Sequence, residues 1–203
     1  MFDRIRNLFG SQRLGSIEQR AFLDDLLFTN IKRYRIFTLV LLPIFAILPF
    51  VDLMNREKGL WINPGYEALF YIHSATAALL LPSVIALHIR PPRAAGGARW
   101  WHRVILVFIM YFMMLSLLFI ALADLHIYGQ INAYVIMPLG VGAIILLRQV
   151  ESLVFYAVCL TLLLIGLGHF NEDFAKIQSH IINGIVMTVI AWVLSRILYA
   201  AFR

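Results

Sequence analysis

The sequence predicts an all-α membrane protein, with six transmembrane helices, both termini in the cytoplasm, and an amphipathic interfacial helix before the first span. Of its 203 residues, 62% are hydrophobic and 14% are charged, whereas soluble domains usually have about 25% charged residues. The apolar residues fall in long runs, and about 20 of them in a helix cross the hydrocarbon core with every backbone bond satisfied internally. Lysine and arginine also cluster in alternate connections, which is typical of a multi-pass protein.

The N-terminal arm, residues 1–35, precedes a transmembrane domain, residues 36–203. Ser16 is a candidate helix N-cap, and one face of residues 16–35 is mainly apolar. We expect this helix to lie on the inner leaflet and bend into the first span, the alternative being a helix that docks on a partner. The apolar face consists of Ile17, Phe22, Leu23, Leu26, Leu27 and Ile31. No signal peptide is expected, because the arm is charged throughout.

Hydropathy predicts six spans, the fourth of which is short. Their approximate bounds are 36–54, 65–89, 104–124, 132–147, 153–169 and 179–200. Pro43, Pro49, Pro82 and Pro138 can kink the helices that contain them.

Basic residues sort cleanly around these spans. The arm has seven, the connection 90–103 has four, Arg148 follows the fourth span, and Arg196 and Arg203 lie at the C-terminal end. The opposite side has three, namely Arg56, Lys58 and Lys176. Both termini are therefore predicted to be cytoplasmic. The net charge of +6 indicates orientation in the membrane rather than nucleic-acid binding.

Polar residues inside the spans concentrate toward the outer side. A charge in hydrocarbon is costly, so such groups usually face a bundle interior or water. Asp52 is expected simply to mark a helix end, whereas His73 lies about two turns inside the second span. The candidate ligand-binding residues are His73, Asp124, His126, Asn132, His169, His180 and Asn183.

A stripe of small and polar residues follows the helical period in the sixth span. It comprises His180, Asn183, Gly184, Met187, Thr188, Ala191 and Ser195. Close helix packing through small residues explains the stripe, and a ligand or ion pocket at its outer end is the alternative.

Other functional classes have less support. No known catalytic motif is present, and no ionisable residue lies near the middle of a span, as a transporter or channel would usually require.

A divalent cation on Asp124, His126, His169 and His180 suits the preference of zinc or manganese for mixed imidazole and carboxylate ligands. Haem between two of His73, His88, His126, His169 and His180 is a weaker alternative, because no two of them share a helix at a suitable spacing. Cys159 is the single cysteine, which excludes an internal disulfide.

Three features resemble the MASE-like six-helix sensor domains that precede bacterial diguanylate cyclase (GGDEF) domains, and the related membrane anchors of class III adenylate cyclases and some histidine kinases. They are residues 20–23 (Arg-Ala-Phe-Leu) leading into 30–35, the closing run 183–196, and the six-span layout with both ends inside. The final helical pattern also stops abruptly at Arg203, so we expect a further C-terminal domain.

The resemblance implies a membrane receptor that regulates a cytoplasmic cyclase, with no catalysis in these residues. The protein would lie in a bacterial inner membrane, where a small ligand or ion would bind between helices or the domain would sense its lipid environment. The sixth helices of a homodimer would then repack. Only a ligand with different affinities for the two packings can drive such a change. The residues expected to transmit the signal are Thr188, Trp192, Ser195 and Arg196.

Overall fold

The computed structural model describes residues 15–169 and 174–203, and within them the regular structure is helical, with no β-strand. This confirms the predicted all-α class. The helices are α1 (Ser16–Glu57), α2 (Pro64–Ile89), α3 (Trp100–Tyr128), α4 (Asn132–Ile144), α5 (Gln149–Leu167) and α6 (Phe174–Phe202), with one 3-10 turn at Leu60–Ile62. The first fourteen residues of the arm, including Arg4, Arg6 and Arg13, lie outside the described residues.

Five of the described helices are long and apolar enough to cross a membrane, namely α1, α2, α3, α5 and α6. In α3, the most apolar of them, the best window has a mean hydropathy of 2.8. From Trp100 to Tyr128 this helix rises about 42 Å, close to the full thickness of a bilayer with its headgroups. The chain therefore has the character of a multi-pass membrane protein.

Helix α1 joins the arm and the first predicted span without a break. Its 42 residues extend about 63 Å, roughly twice the hydrocarbon thickness, so its N-terminal half projects beyond the core. Leu26, Ile31 and Tyr34 in that half are buried, and Phe22 contacts the rings of Tyr199 and Phe202. The arm thus docks on its own bundle. The periodicity revealed its apolar face but not what covers that face.

Helix α4 is shorter than the fourth predicted span, 132–147. It has 13 residues, or about 20 Å, less than the roughly 30 Å of hydrocarbon. Residues 145–148 then continue without helical structure, and Ile145 and Arg148 have extended backbone angles. Four residues add up to about 13 Å when fully extended. Helix α4 and residues 145–148, which we call the extended segment, can therefore reach the length of one span.

Contacts between helices define two ends of the bundle. At the first, which we call the basic end, Asn30 meets Leu146, His102 meets Arg90, and Arg103 meets Glu151. At the second, the Asp52 end, α1 meets the 3-10 turn and α2, and Tyr66 packs against Tyr128. Successive helices run between these ends in alternating directions.

Helix α6 packs against α4 and α5 through its small residues. Thr188, Ala191 and Ser195 are buried, and a Cβ on Gly184 would lie 2.4 Å from a methyl carbon of Leu163. For these four residues the predicted inward orientation is confirmed, while Asn183 is exposed. The exposed face of α6 is branched and apolar, with Ile182, Ile185, Val186, Val189, Ile190, Val193 and Ile197.

Candidate functional site

The best-defined polar contact at the Asp52 end joins α1 to α2. His73 Nδ1 lies 2.6 Å from Asp52 Oδ2, and the two residues are only 6% and 4% exposed. Trp61 Nε1 donates to the backbone oxygen of Asp52 at 3.0 Å, and Phe45 lies beside the His73 ring. Asp52 is therefore a buried partner of His73, not a solvated helix end as the sequence suggested. The apolar residues on either side of Asp52, Val51 and Leu53, were the sequence feature that could have indicated its burial.

The other residues predicted to bind a ligand are dispersed. Asp124 is half-buried and close enough to His73 for an electrostatic interaction. His126 and His169 are exposed, and exposed Asn132 donates to Gln130 at 2.7 Å. On α6, His180 is half-buried, and among the described residues its Nδ1 has no hydrogen-bond partner. Of the predicted set, His73 and Asp124 thus lie on the packed helices α2 and α3.

The four predicted metal ligands do not form a common cluster. Throughout the described ranges, no three His, Cys, Asp or Glu side chains are grouped as a metal site requires. His73 and Asp124 belong to α2 and α3, whereas His180 belongs to α6, which packs mainly on α4 and α5. His88, a haem candidate, has its Nδ1 2.8 Å from the carbonyl of Val84 in its own helix. The metal and haem hypotheses gain no geometric support.

Two of the residues predicted to transmit a signal make defined contacts from α6. Thr188 donates to the carbonyl of Gly184 at 2.7 Å and lies 2.8 Å from the hydroxyl of Tyr134 in α4. Arg196 is 3% exposed and donates to the carbonyl of Leu147 at 3.1 Å and to Ser152 Oγ at 3.4 Å.

The guanidinium of Arg196 also lies 4.5 Å from the centre of the Tyr199 ring, an attractive cation–π arrangement. Ser195 is fully buried and Trp192 is half-buried. Arg196 therefore ties the last turns of α6 to the extended segment 145–148 and to the start of α5.

Asn30 holds the same extended segment from the opposite side. Its Nδ2 donates to the carbonyl of Leu146 at 3.0 Å, and its Oδ1 accepts from the backbone N–H of Leu146 at 2.8 Å. Irregular backbone at membrane depth is tolerated only where its polar groups are satisfied within the protein. Asn30 and Arg196 supply three such bonds, to the N–H and carbonyl of Leu146 and to the carbonyl of Leu147. Neither role was visible in the sequence of the fourth span.

A cavity of about 470 Å³ adjoins the extended segment at the basic end. Helix α1, the first turns of α3, the extended segment and the start of α5 form its walls. Its charged lining residues are Arg20, Asp24, Arg103, Arg148 and Glu151, and the remainder is mainly aliphatic. The sequence predicted a pocket near the outer histidines, whereas this cavity lies at the opposite end of the bundle.

Glu151 links two of the arginines that line the cavity. Its Oε1 accepts from Arg103 Nη2 at 3.3 Å and from Arg148 Nη2, and its Oε2 accepts from the Arg148 backbone N–H at 3.1 Å. The hydrogen bond to Glu151 raises the pKa of Arg148. Glu151 thus caps α5 and holds the guanidinium groups of Arg103 in α3 and Arg148 in the extended segment beside the same cavity.

No protein-family model matches the chain, and comparisons with curated proteins and with solved structures also give no match. The resemblance to MASE-like sensor domains stays a prediction that depends on short segments of sequence.

Proposed function

We propose that this chain is a membrane sensor domain that regulates a cytoplasmic nucleotide cyclase, most simply a diguanylate cyclase, joined to α6. The observation that carries the proposal is the attachment of Arg196. This buried arginine connects α6 to Leu147 and Ser152, and Leu147 lines the cavity at the basic end. A change at the cavity wall would therefore act on the helix that leads to the output domain.

The mechanism is a shift between two packings of α6. Gly184, Thr188, Ala191 and Ser195 of α6 pack inside the bundle. The exposed face of α6 is branched and apolar, which leaves that face for lipid or for a second copy. In the proposed homodimer, repacking of the two α6 helices moves two cyclase half-sites together or apart. A ligand shifts this equilibrium only by its difference in affinity for the two packings.

The test joins the chain after Arg203 to a diguanylate cyclase domain of known activity and measures cyclic-di-GMP in cells. Arg196→Met removes the hydrogen bonds to Leu147 and Ser152 while keeping an unbranched apolar side chain. We expect cyclase output to change by about fivefold or more, the usual lower range of allosteric coupling. Arg93→Met, at an exposed position in the α2–α3 connection, is the matched control and should leave output unchanged.

The predicted sensor residues are tested in the same fusion. Alanine at His73, Asp124, His169 or His180 should alter regulation while the protein still assembles in the membrane. Unchanged output in these four variants and in Arg196→Met, at equal membrane levels, would contradict the proposal. A monomer at all protein concentrations in native-like lipid would contradict the dimeric mechanism. Flux of protons or ions in reconstituted vesicles would instead favour a transporter or channel.

A further inference from the structure

The cavity at the basic end combines an aliphatic interior with a charged rim. Leu23, Leu27, Leu106 and Met110 are among its apolar lining residues. Val107, Val150 and Val154 also line it and are 45%, 72% and 48% exposed on the outside of the bundle. In a membrane, Val107 and Val154, which lie deeper along α3 and α5 than Arg103 and Arg148, face the acyl chains, so the apolar part of the cavity adjoins the bilayer.

The arginines of the rim lie at the level of the headgroups. Arg103 is in the first turn of α3, beside Trp100, which is exposed, and Trp101. Tryptophan concentrates at membrane–water interfaces because its ring is apolar and its N–H is polar. Arg103 and Arg148 are therefore placed where lipid phosphates occur.

These guanidinium groups retain the capacity to bind an anion. Glu151 engages Nη2 of Arg103 and Nη2 of Arg148, whereas a guanidinium has five N–H donors in a planar fork that matches a phosphate. The side chains of Arg103 and Arg148 are 59% and 41% exposed. Around the rim, three guanidinium groups face two carboxylates, which favours an anionic ligand.

We propose that this cavity binds one anionic phospholipid of the adjacent leaflet, with an acyl chain against the aliphatic wall and the phosphate on Arg103 and Arg148. The headgroup provides the selectivity, because acyl chains gain little by exchanging lipid contacts for leucine contacts. Basic pockets between transmembrane helices are known to bind anionic headgroups in this manner. The assignment does not depend on the sensor function, because it is measured by binding rather than by cyclase output.

The experiment uses the full chain purified in a non-ionic detergent. Phosphatidylglycerol and phosphatidylcholine with identical acyl chains are added separately, and native mass spectrometry and thermal unfolding report bound lipid and the change in Tm. We expect phosphatidylglycerol to be retained as a single bound molecule and to raise Tm more than phosphatidylcholine does. The variant R103Q/R148Q should bind phosphatidylglycerol about tenfold more weakly, because it loses charge-assisted hydrogen bonds.

Two further variants separate the lipid site from general charge and from folding. Arg93→Gln/Arg99→Gln removes the same charge from exposed positions at the same end of the chain and should bind phosphatidylglycerol as the wild type does. Val154→Trp adds bulk to the aliphatic wall and keeps both arginines, so it should lose the lipid while its lipid-free Tm stays near that of the wild type.

Three outcomes would overturn the assignment. The first is equal retention of the two lipids. The second is unchanged phosphatidylglycerol binding by R103Q/R148Q. The third is stabilisation by millimolar inorganic phosphate equal to that by phosphatidylglycerol, which would make the cavity a site for a soluble phosphate.

Discussion

At the scale of single residues, some buried polar side chains in this bundle bind groups outside their own helix. Asn30 pairs with the backbone of Leu146, 116 positions away. His102 accepts from the backbone N–H of Arg99 through Nδ1, and its Nε2 lies 3.0 Å from the carbonyl of Arg90. One imidazole therefore caps α3 and fastens the arginine-rich connection to the end of α2. Hydropathy identifies such residues as polar and costly but does not identify their partners.

The pair formed by Asp52 and His73 allows a quantitative prediction. Each single alanine variant leaves the other polar group buried without its partner, so we expect each to lower the free energy of unfolding by about 3–5 kcal/mol. The double variant should lose less than the sum of the two, with a coupling energy of about 1–3 kcal/mol. The wild type, the two single variants and the double variant form a double-mutant cycle. The free energy of unfolding of each purified protein in detergent micelles gives the coupling energy.

His88→Ala is the matched control for this cycle, since the side chain of His88 contacts the carbonyl of Val84 in its own helix. Its effect should add to that of Asp52→Ala without coupling. Strict additivity between Asp52→Ala and His73→Ala would show that the 2.6 Å contact contributes nothing specific to stability.

At the scale of elements, the fourth span departs most from expectation. The sequence predicted one short helix over residues 132–147, and the structure divides it into α4 and an extended segment. Side chains of α1 and α6 hold that segment.

Two glycines in α4 differ sharply in their surroundings. A Cβ at Gly142 would lie 2.8 Å from the carbonyl oxygen of Ala191 and from the hydroxyl of Tyr156. A Cβ at Gly140 would meet no described atom within 4 Å apart from its chain neighbours and the backbone of its own helix.

Gly142→Ala and Gly140→Ala should therefore change stability in opposite directions. Overpacking against the backbone of α6 should make Gly142→Ala about 1–3 kcal/mol less stable. Gly140→Ala adds no contact and improves helix propensity, so it should gain about 0.5–1 kcal/mol. Thermal unfolding in one detergent compares the two directly. An equal or greater loss in Gly140→Ala would mean that α4 does not approach α6 through Gly142.

At the scale of the whole molecule, basic residues occur at both ends of the bundle, and their distribution can be compared with the predicted topology. Arg93, Arg99 and Arg148 lie in connections at the basic end, and Arg56 and Lys58 lie at the Asp52 end. If α4 and its extended segment form a complete pass, Gln130 and Gln149 are on opposite faces of the membrane.

Single cysteines test this topology, because Cys159 is buried and should not react. With a membrane-impermeant maleimide, Arg99→Cys and Gln149→Cys should label only from the cytoplasmic side, and Lys58→Cys and Gln130→Cys only from the outer side. Labelling of Arg99→Cys from outside would show that the topology is the reverse of the one predicted. It would also remove the basis for a cytoplasmic output domain. Labelling of Gln130→Cys and Gln149→Cys from one side would show that the fourth pass is incomplete.

The sequence by itself determined the helical class, the positions of the long apolar helices and the inward face of α6. These follow from local composition and helical periodicity, because the bilayer requires internally bonded segments of a set length. The tertiary structure alone decided that the arm docks on the bundle and that Asp52 pairs with His73. It also decided that Asn30 and Arg196 donate hydrogen bonds to backbone carbonyls of the extended segment, beside the cavity at the basic end. Those features depend on contacts between helices distant in the chain, which the pattern within any one helix does not encode.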